Sequence, residues 1–246
     1  MPPTVVNVGT VDSTTAWAPA FPANIVANDI LLWIGESVGG QSFTLPAGWA
    51  HIDSVSPVVQ GVNTQLTVWW RRYDGTGSAP SVTGPTDHGV TRQIAIRGCP
   101  LSGNPWNNVS PANSVEAVSD TTVTYPGTTT SIPDCLVLEI LACSADVAST
   151  AALSAHTNAN YTSITEHIDN FISGGGGGGI AVWSGIMASA GATGQSTATL
   201  IAGAAGFKAL MTLAMAPSAG AATPPIRRTN RRSRRAPGRP HRAIFT

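Results

Sequence analysis

The chain has 246 residues, of which only 11% are charged, against roughly 25% in an ordinary soluble domain. Its polar surface comes instead from 28 Thr and 22 Ser, and its turns from 26 Gly and 18 Pro. That composition excludes a coiled coil, a helical bundle and a charge-rich disordered chain, and it fits many short strands joined by tight turns. The net charge of zero hides a division. All thirteen acids lie between Asp12 and Asp169, whereas eight of the thirteen basic residues lie between Arg227 and Arg242. Residues 1–216, with thirteen acids and five bases, carry a formal −8, and the remainder carries +8. Charge segregated this far along a chain assigns the two parts separate tasks.

In chain order, the first strand is expected at 4–8 (TVVNV). Residues 29–36 (DILLWIGE) are apolar on both faces and read as a strand buried on both sides. A short strand follows at 49–55, after the PAG turn at 46–48. Residues 64–72 (TQLTVWWRR) alternate, with Leu66, Val68 and Trp70 on one face and Gln65, Thr67, Trp69 and Arg71 on the other. The turn YDGTG (73–77) leads on to a strand at 91–97. Core strands are expected at 135–143 (CLVLEILAC) and 207–215 and shorter strands at 180–187 and 195–201, which makes about nine strands in the chain.

Between them, residues 100–131 are rich in Pro, Asn, Ser and Thr and read as a long surface excursion. The Ala-rich stretch 144–157, with Ser144 as N-cap, is the best helix candidate. Six glycines at 174–179 lack the Lys-Ser/Thr of a phosphate loop and read as a flexible tip between strands. A hinge, or backbone packed closely against a neighbour, is the functional alternative for that run. Residues 198–216 are the nearest approach to a membrane span, but Lys208 sits at their centre beside Gly203 and Gly206. Two strands around a glycine turn account for them better. The opening MPPTVVNVGT has neither a basic n-region nor an apolar h-region, so no secretory signal is expected. The expected fold is all-β: an antiparallel, jelly-roll-like sandwich over 1–216, with an extended Pro/Arg-rich arm over 217–246.

Chemistry-bearing motifs are scarce. Cys99, Cys135 and Cys143 are odd in number, show no CxxC, and are expected to be buried free thiols. Cys135 and Cys143 share strand parity. The histidines (51, 88, 156, 167 and 241) form no HxH or HExxH, so neither a metal site nor a cofactor is expected. Asp87–His88 and Glu166–His167 are neighbours in sequence, but adjacent side chains on an extended chain point opposite ways. Glu139 is the one acid inside an apolar strand and is expected to pair with Arg92 or Arg97 across the sheet. With no GxSxG and no evident carboxylate pair, no enzyme is expected. Trp33, Trp69, Trp70 and Trp183 fall in strands and read as core, while Trp17, Trp49 and Trp106 lie in or beside loops. Trp106, within GNPWNN, is the best candidate for an exposed ring that stacks on a glycan, although packing over the sheet edge is the leading expectation because a large apolar side chain gains most by burial.

The arm is the sharpest feature. Arg227, Arg228, Arg231, Arg232, Arg234, Arg235, Arg239 and Arg242 are followed by Ile244 and Phe245, which read as an apolar plug for a partner's pocket. Pairing of the arginine forks with acidic surfaces of neighbouring proteins is the leading expectation, because bodies of charge −8 complement the arm. Phosphate contacts to nucleic acid, and a solvated appendage, rank behind it.

The order DILLWI (29–34), TLPAGW (44–49), LTVWWRRYDGTG (66–77), IAIRG (94–98), PDCLVLEI (133–140), IAVWSG (180–185) and GATGQSTATL (191–200) resembles jelly-roll virion proteins of tailed bacteriophages, especially of actinobacterial hosts. These are commonly labelled minor tail proteins. The resemblance spans residues 1–216, its most specific parts being the PAGW turn and the DG turn after the aromatic strand; it does not extend to the arm. It implies a non-enzymatic structural protein made in the host cytoplasm and resident in the virion. Its partners would be other virion proteins and further copies of itself in a trimer or ring. A capsid decoration protein is the alternative within that class, and a carbohydrate-binding host-recognition module the alternative outside it.

Overall fold

The computed structural model describes residues 1–13, 17–53, 56–85, 87–107 and 111–219. The eight arm arginines, Ile244 and Phe245 lie outside the described residues.

The first half of the chain builds one antiparallel sheet. Its strands are β1 (Thr4–Val8), β2 (Ile30–Ser37), β3 (Ala50–His51), β4 (Val58–Gln60), β5 (Thr64–Arg72) and β6 (Gly89–Arg97), in the order β1-β6-β2-β5-β3, with β4 also on β5. The second half supplies β7 (Ala112–Asp120), β8 (Thr122–Tyr125), β9 (Thr129–Thr130), β10 (Cys135–Cys143), β11 (Leu153–Thr157), β12 (Thr162–Ile172), β13 (Gly178–Met187), β14 (Gly191–Ala192), β15 (Ser196–Leu200) and β16 (Gly206–Met215). Five of these form the facing sheet, β12-β13-β10-β16-β7. A three-stranded sheet, β11-β15-β8, and a ribbon, β14-β9, complete the molecule.

Alternation along β10 shows why the layers form. Leu136, Leu138, Ile140 and Ala142 pack toward the first sheet, in one core with Ile30, Leu32, Ile34, Val68 and Ile94. Leu141 and Cys143 point the other way, into a second core with Val123, Tyr125, Leu153, Ala198 and Leu200 of the three-stranded sheet. The middle sheet is thus covered on both faces, which is what an unbroken apolar strand requires. The outer face of the first sheet is closed by an aromatic cluster of Trp17, Trp33, Phe43, Trp49 and Trp69, with Trp33 stacked on Trp69 at 4.5 Å between ring centroids. The antiparallel all-β sandwich is therefore the one expected. The expected glycine turn around Gly203 joins β15 to β16, and no helix among the described residues is long and apolar enough to cross a membrane.

Two sequence expectations need correction. The helix expected at 144–157 does not form; Leu153–Thr157 is β11, paired with β15. Alanine-rich propensity is a weak preference, and burial of Ala152, Leu153 and His156 against neighbouring strands outweighs it. Residues 100–131 are no mere excursion but contain β7, β8 and β9. β7 is an edge strand whose side chains are mostly exposed or half-buried, so it lacks the apolar alternation by which strands are recognised. A three-residue 3-10 turn lies at Gly174–Gly176.

Candidate functional site

Buried ionisable side chains gather in two places and beside one surface cavity. The first cluster lies between the middle sheet and the three-stranded sheet. Glu139 sits on β10 opposite Trp183 of β13 and Thr212 of β16, pointing away from the first sheet. It is 1% exposed. One carboxylate oxygen meets Nε2 of His156 on β11; the other accepts from the Tyr161 hydroxyl at 2.9 Å and from the Ser196 hydroxyl of β15. Asn158 donates to Ser196 Oγ at 2.7 Å. The His156 ring lies on Trp183, with centroids 4.9 Å apart and planes at 8°. Burial pushes the phenols of Tyr161 and Tyr125 above their ordinary range. Serine, histidine and a carboxylate thus come together, but not as a nucleophilic triad. Such a triad needs the hydroxyl on the imidazole, whereas here hydroxyl and imidazole both bond to the carboxylate, away from solvent. What the arrangement does is tie β11 and β15 to β10, so that the small sheet is held over the middle one by polar bonds as well as apolar packing. The expected partners of Glu139 were wrong: Arg97 forms a bidentate pair with Asp29 (2.7 and 2.8 Å), and Arg92 bonds Asn170 and the Gly9 carbonyl. Both arginines belong to β6, on the first sheet, while Glu139 faces the opposite side of the second.

The second cluster lies at the end of β2. Glu36 is fully buried and accepts from Thr64 Oγ1 at 3.0 Å. His88 stands 3.8 Å from it through Nε2, while Nδ1 bonds the Gly175 carbonyl at 2.9 Å. Asp87 Oδ1 is 3.4 Å from the same Nδ1, a proximity that extended-chain geometry did not suggest. Burial holds the Glu36 carboxyl well above its ordinary range. The second half of the glycine run is closely packed, while Gly174 and Gly175 at its start are exposed. A Cβ at Gly178 would lie 2.2 Å from Glu36 Oε2, and one at Gly177 (φ +81°) would lie 2.3 Å from the Asp146 Cα. The flexible tip expected of this run is thus corrected at Gly177 and Gly178, whose close approach is to the chain itself and not to a neighbouring subunit.

Other charged residues have structural partners. Lys208, fully buried in β16, pairs with Asp120 at 2.8 Å and Glu116 at 3.0 Å and so holds β7 to the sheet. His167 bonds Ser184 Oγ at 2.7 Å, and burial lowers its pKa to about 4. The three cysteines are free and buried, and burial raises Cys99 and Cys143 to about 12 and Cys135 to about 11. Cys135 and Cys143 share one face of β10, as their parity required. Trp106 is not the exposed ring that a glycan contact needs. It is 5% exposed, donates Nε1–H to Asp53 at 2.9 Å and packs edge-on to Trp70. Trp17 and Trp49 are buried as well. Among the described residues no group of three His, Cys, Asp or Glu side chains is placed to hold a metal ion.

The cavity opens at the surface with a volume of about 620 Å³. The turn at 26–29, the segment 97–102 and residues 218–219 line it. Val26, Ala27, Cys99, Pro100 and Leu101 give it apolar walls, and the Asp29–Arg97 pair closes one side. Comparison of the chain with family models, curated proteins and solved structures found no match.

Proposed function

We propose that the protein is a non-enzymatic structural component of a bacteriophage virion, a minor tail protein of the tail-tip or fibre region. In this reading its basic arm anchors it to neighbouring virion proteins. The observation that carries the reading is the division of charge: a rigid β body with thirteen acids and five bases, followed by eight arginines and no acid. Exposed ion pairs are worth only about 0.2–1 kcal/mol each, so a run of eight gains its strength as a set, spread over an extended acidic surface. The clusters that look most like chemistry in the body, around Glu139 and Glu36, bond strand to strand inside it, which suits a load-bearing particle component. The motifs that resemble phage virion proteins fall on the elements that make this body: β2, β5, β10, β13 and β15, with the PAGW turn before β3.

The test is negative-stain imaging of particles of the encoding phage, labelled with an antibody to residues 1–216. Label at the tail tip supports the reading, label over the head converts it to a decoration protein, and unlabelled particles overturn it. In parallel, removing residues 227–246 is expected to leave the body folded and to abolish or strongly reduce incorporation. Normal copy number in the truncated case would show that the arm is not the anchor.

A further inference from the structure

We infer that the cavity bounded by residues 26–29 and 97–102 is a docking site for Ile244 and Phe245 of the same chain, so that the arm is latched onto its own body. Three observations lead there. First, the cavity lies at the root of the arm: Ser218 N–H bonds the Gly98 carbonyl at 2.6 Å, and Ala219, the last described residue before the arm continues, forms part of the wall. Second, its chemistry asks for an apolar occupant. Val26 and Leu101, 51% and 70% exposed, stand at its sides, and Cys99, 3% exposed, forms apolar lining. A volume of about 620 Å³ lies in the range that takes one or two large side chains. Third, residues 220–246 contain three bulky aliphatic or aromatic residues, Ile226, Ile244 and Phe245, and only the last two are adjacent.

Reach and charge favour the chain's own arm. Ile244 lies 25 residues beyond Ala219, a contour of up to about 80–90 Å, which is more than enough to return to the cavity at its root. Tethering makes the encounter intramolecular, which raises the effective concentration of the tip at the site. Closing such a loop adds only a slowly growing entropy cost. On the way, eight arginines pass over a body of formal charge −8. The inference goes beyond the virion reading, because an arm latched on its own body is withheld from neighbours until one of them competes for it.

The experiment uses the full chain with p-benzoylphenylalanine in place of Phe245, mixed as unlabelled and 15N-labelled copies at low micromolar concentration and irradiated. Cross-linked peptides are expected to join position 245 to residues 26–29 or 98–102, with both halves from one isotopic copy. Leu101→Asp, at a site exposed enough to leave the fold alone, is expected to lower the yield about tenfold, the loss of one good apolar contact. Ile226→Ser is expected to leave the yield unchanged. Cross-links to other parts of the body, cross-links joining different isotopic copies, or a yield indifferent to Leu101→Asp would each overturn the inference. Particle labelling tests the virion reading separately, so either can fail while the other stands.

Discussion

Replacing Glu139 by alanine probes the clamp between the middle and the three-stranded sheets. The substitution removes the acceptor shared by His156, Tyr161 and Ser196. Each buried donor left without a partner costs about 1–3 kcal/mol. The three donors share one acceptor and can relax together, so the three costs do not simply add. With up to three buried donors stranded, Glu139→Ala is expected to cost about 3–5 kcal/mol. That is a large share of a total stability of about 5–15 kcal/mol. For a chain of this size it amounts to roughly 10 °C in Tm. The assay is urea unfolding of the full chain at pH 7, followed by the fluorescence of its seven tryptophans, most of them buried. Comparison of Glu139→Ala, His156→Ala and the double variant completes a cycle, in which two residues in contact are expected to couple by about 0.5–3 kcal/mol. A loss below about 1 kcal/mol, or single effects that simply add, would refute the view that this buried set holds the small sheet in place.

Two further outcomes follow from the site geometry. Burial raises the Glu36 carboxyl, so the folded chain keeps a proton that the unfolded chain releases near the ordinary value of about 4.3. The stability from this group is complete below that pH and is lost as pH rises through the folded value; Asp87 and His88 face the same cluster. Glu36→Gln is therefore expected to match the wild type near pH 4 and to exceed it increasingly toward pH 8 in thermal melts, whereas a constant difference would refute the linkage. The three buried thiols, all raised to about 11 or 12, expose less than about 0.1% thiolate at pH 8. A water-soluble disulfide reagent is expected to label none of them in the native chain and all three in urea; rapid native labelling would refute their burial.

Local pattern alone determined much of this protein. The alternating run TQLTVWWRR, followed by YDGTG, and the apolar run CLVLEILAC place β5 and β10 to the residue, because a half-buried or doubly buried strand has to write its burial into its side chains. The free thiols, the turn around Gly203 and the division of charge were equally legible, since each depends on residue type and spacing only. Two of the edge strands were not, although β1, also an edge, was. β7 and the first half of β12 expose side chains on both faces and so carry little apolar alternation. Nor could the sequence assign the first half of the chain to one main sheet and the second half to the other, because that division depends on pairing between residues far apart. The partners of Glu139 fall under the same limit. A buried carboxylate demands hydrogen-bond donors, and that much is written in CLVLEILAC, but whether an arginine or a histidine answers depends on which strand lies across it. Only the tertiary structure brings β11 and β15 over the outer face of β10, and it presses Gly177 and Gly178, within a run that reads as slack, against Asp146 and Glu36.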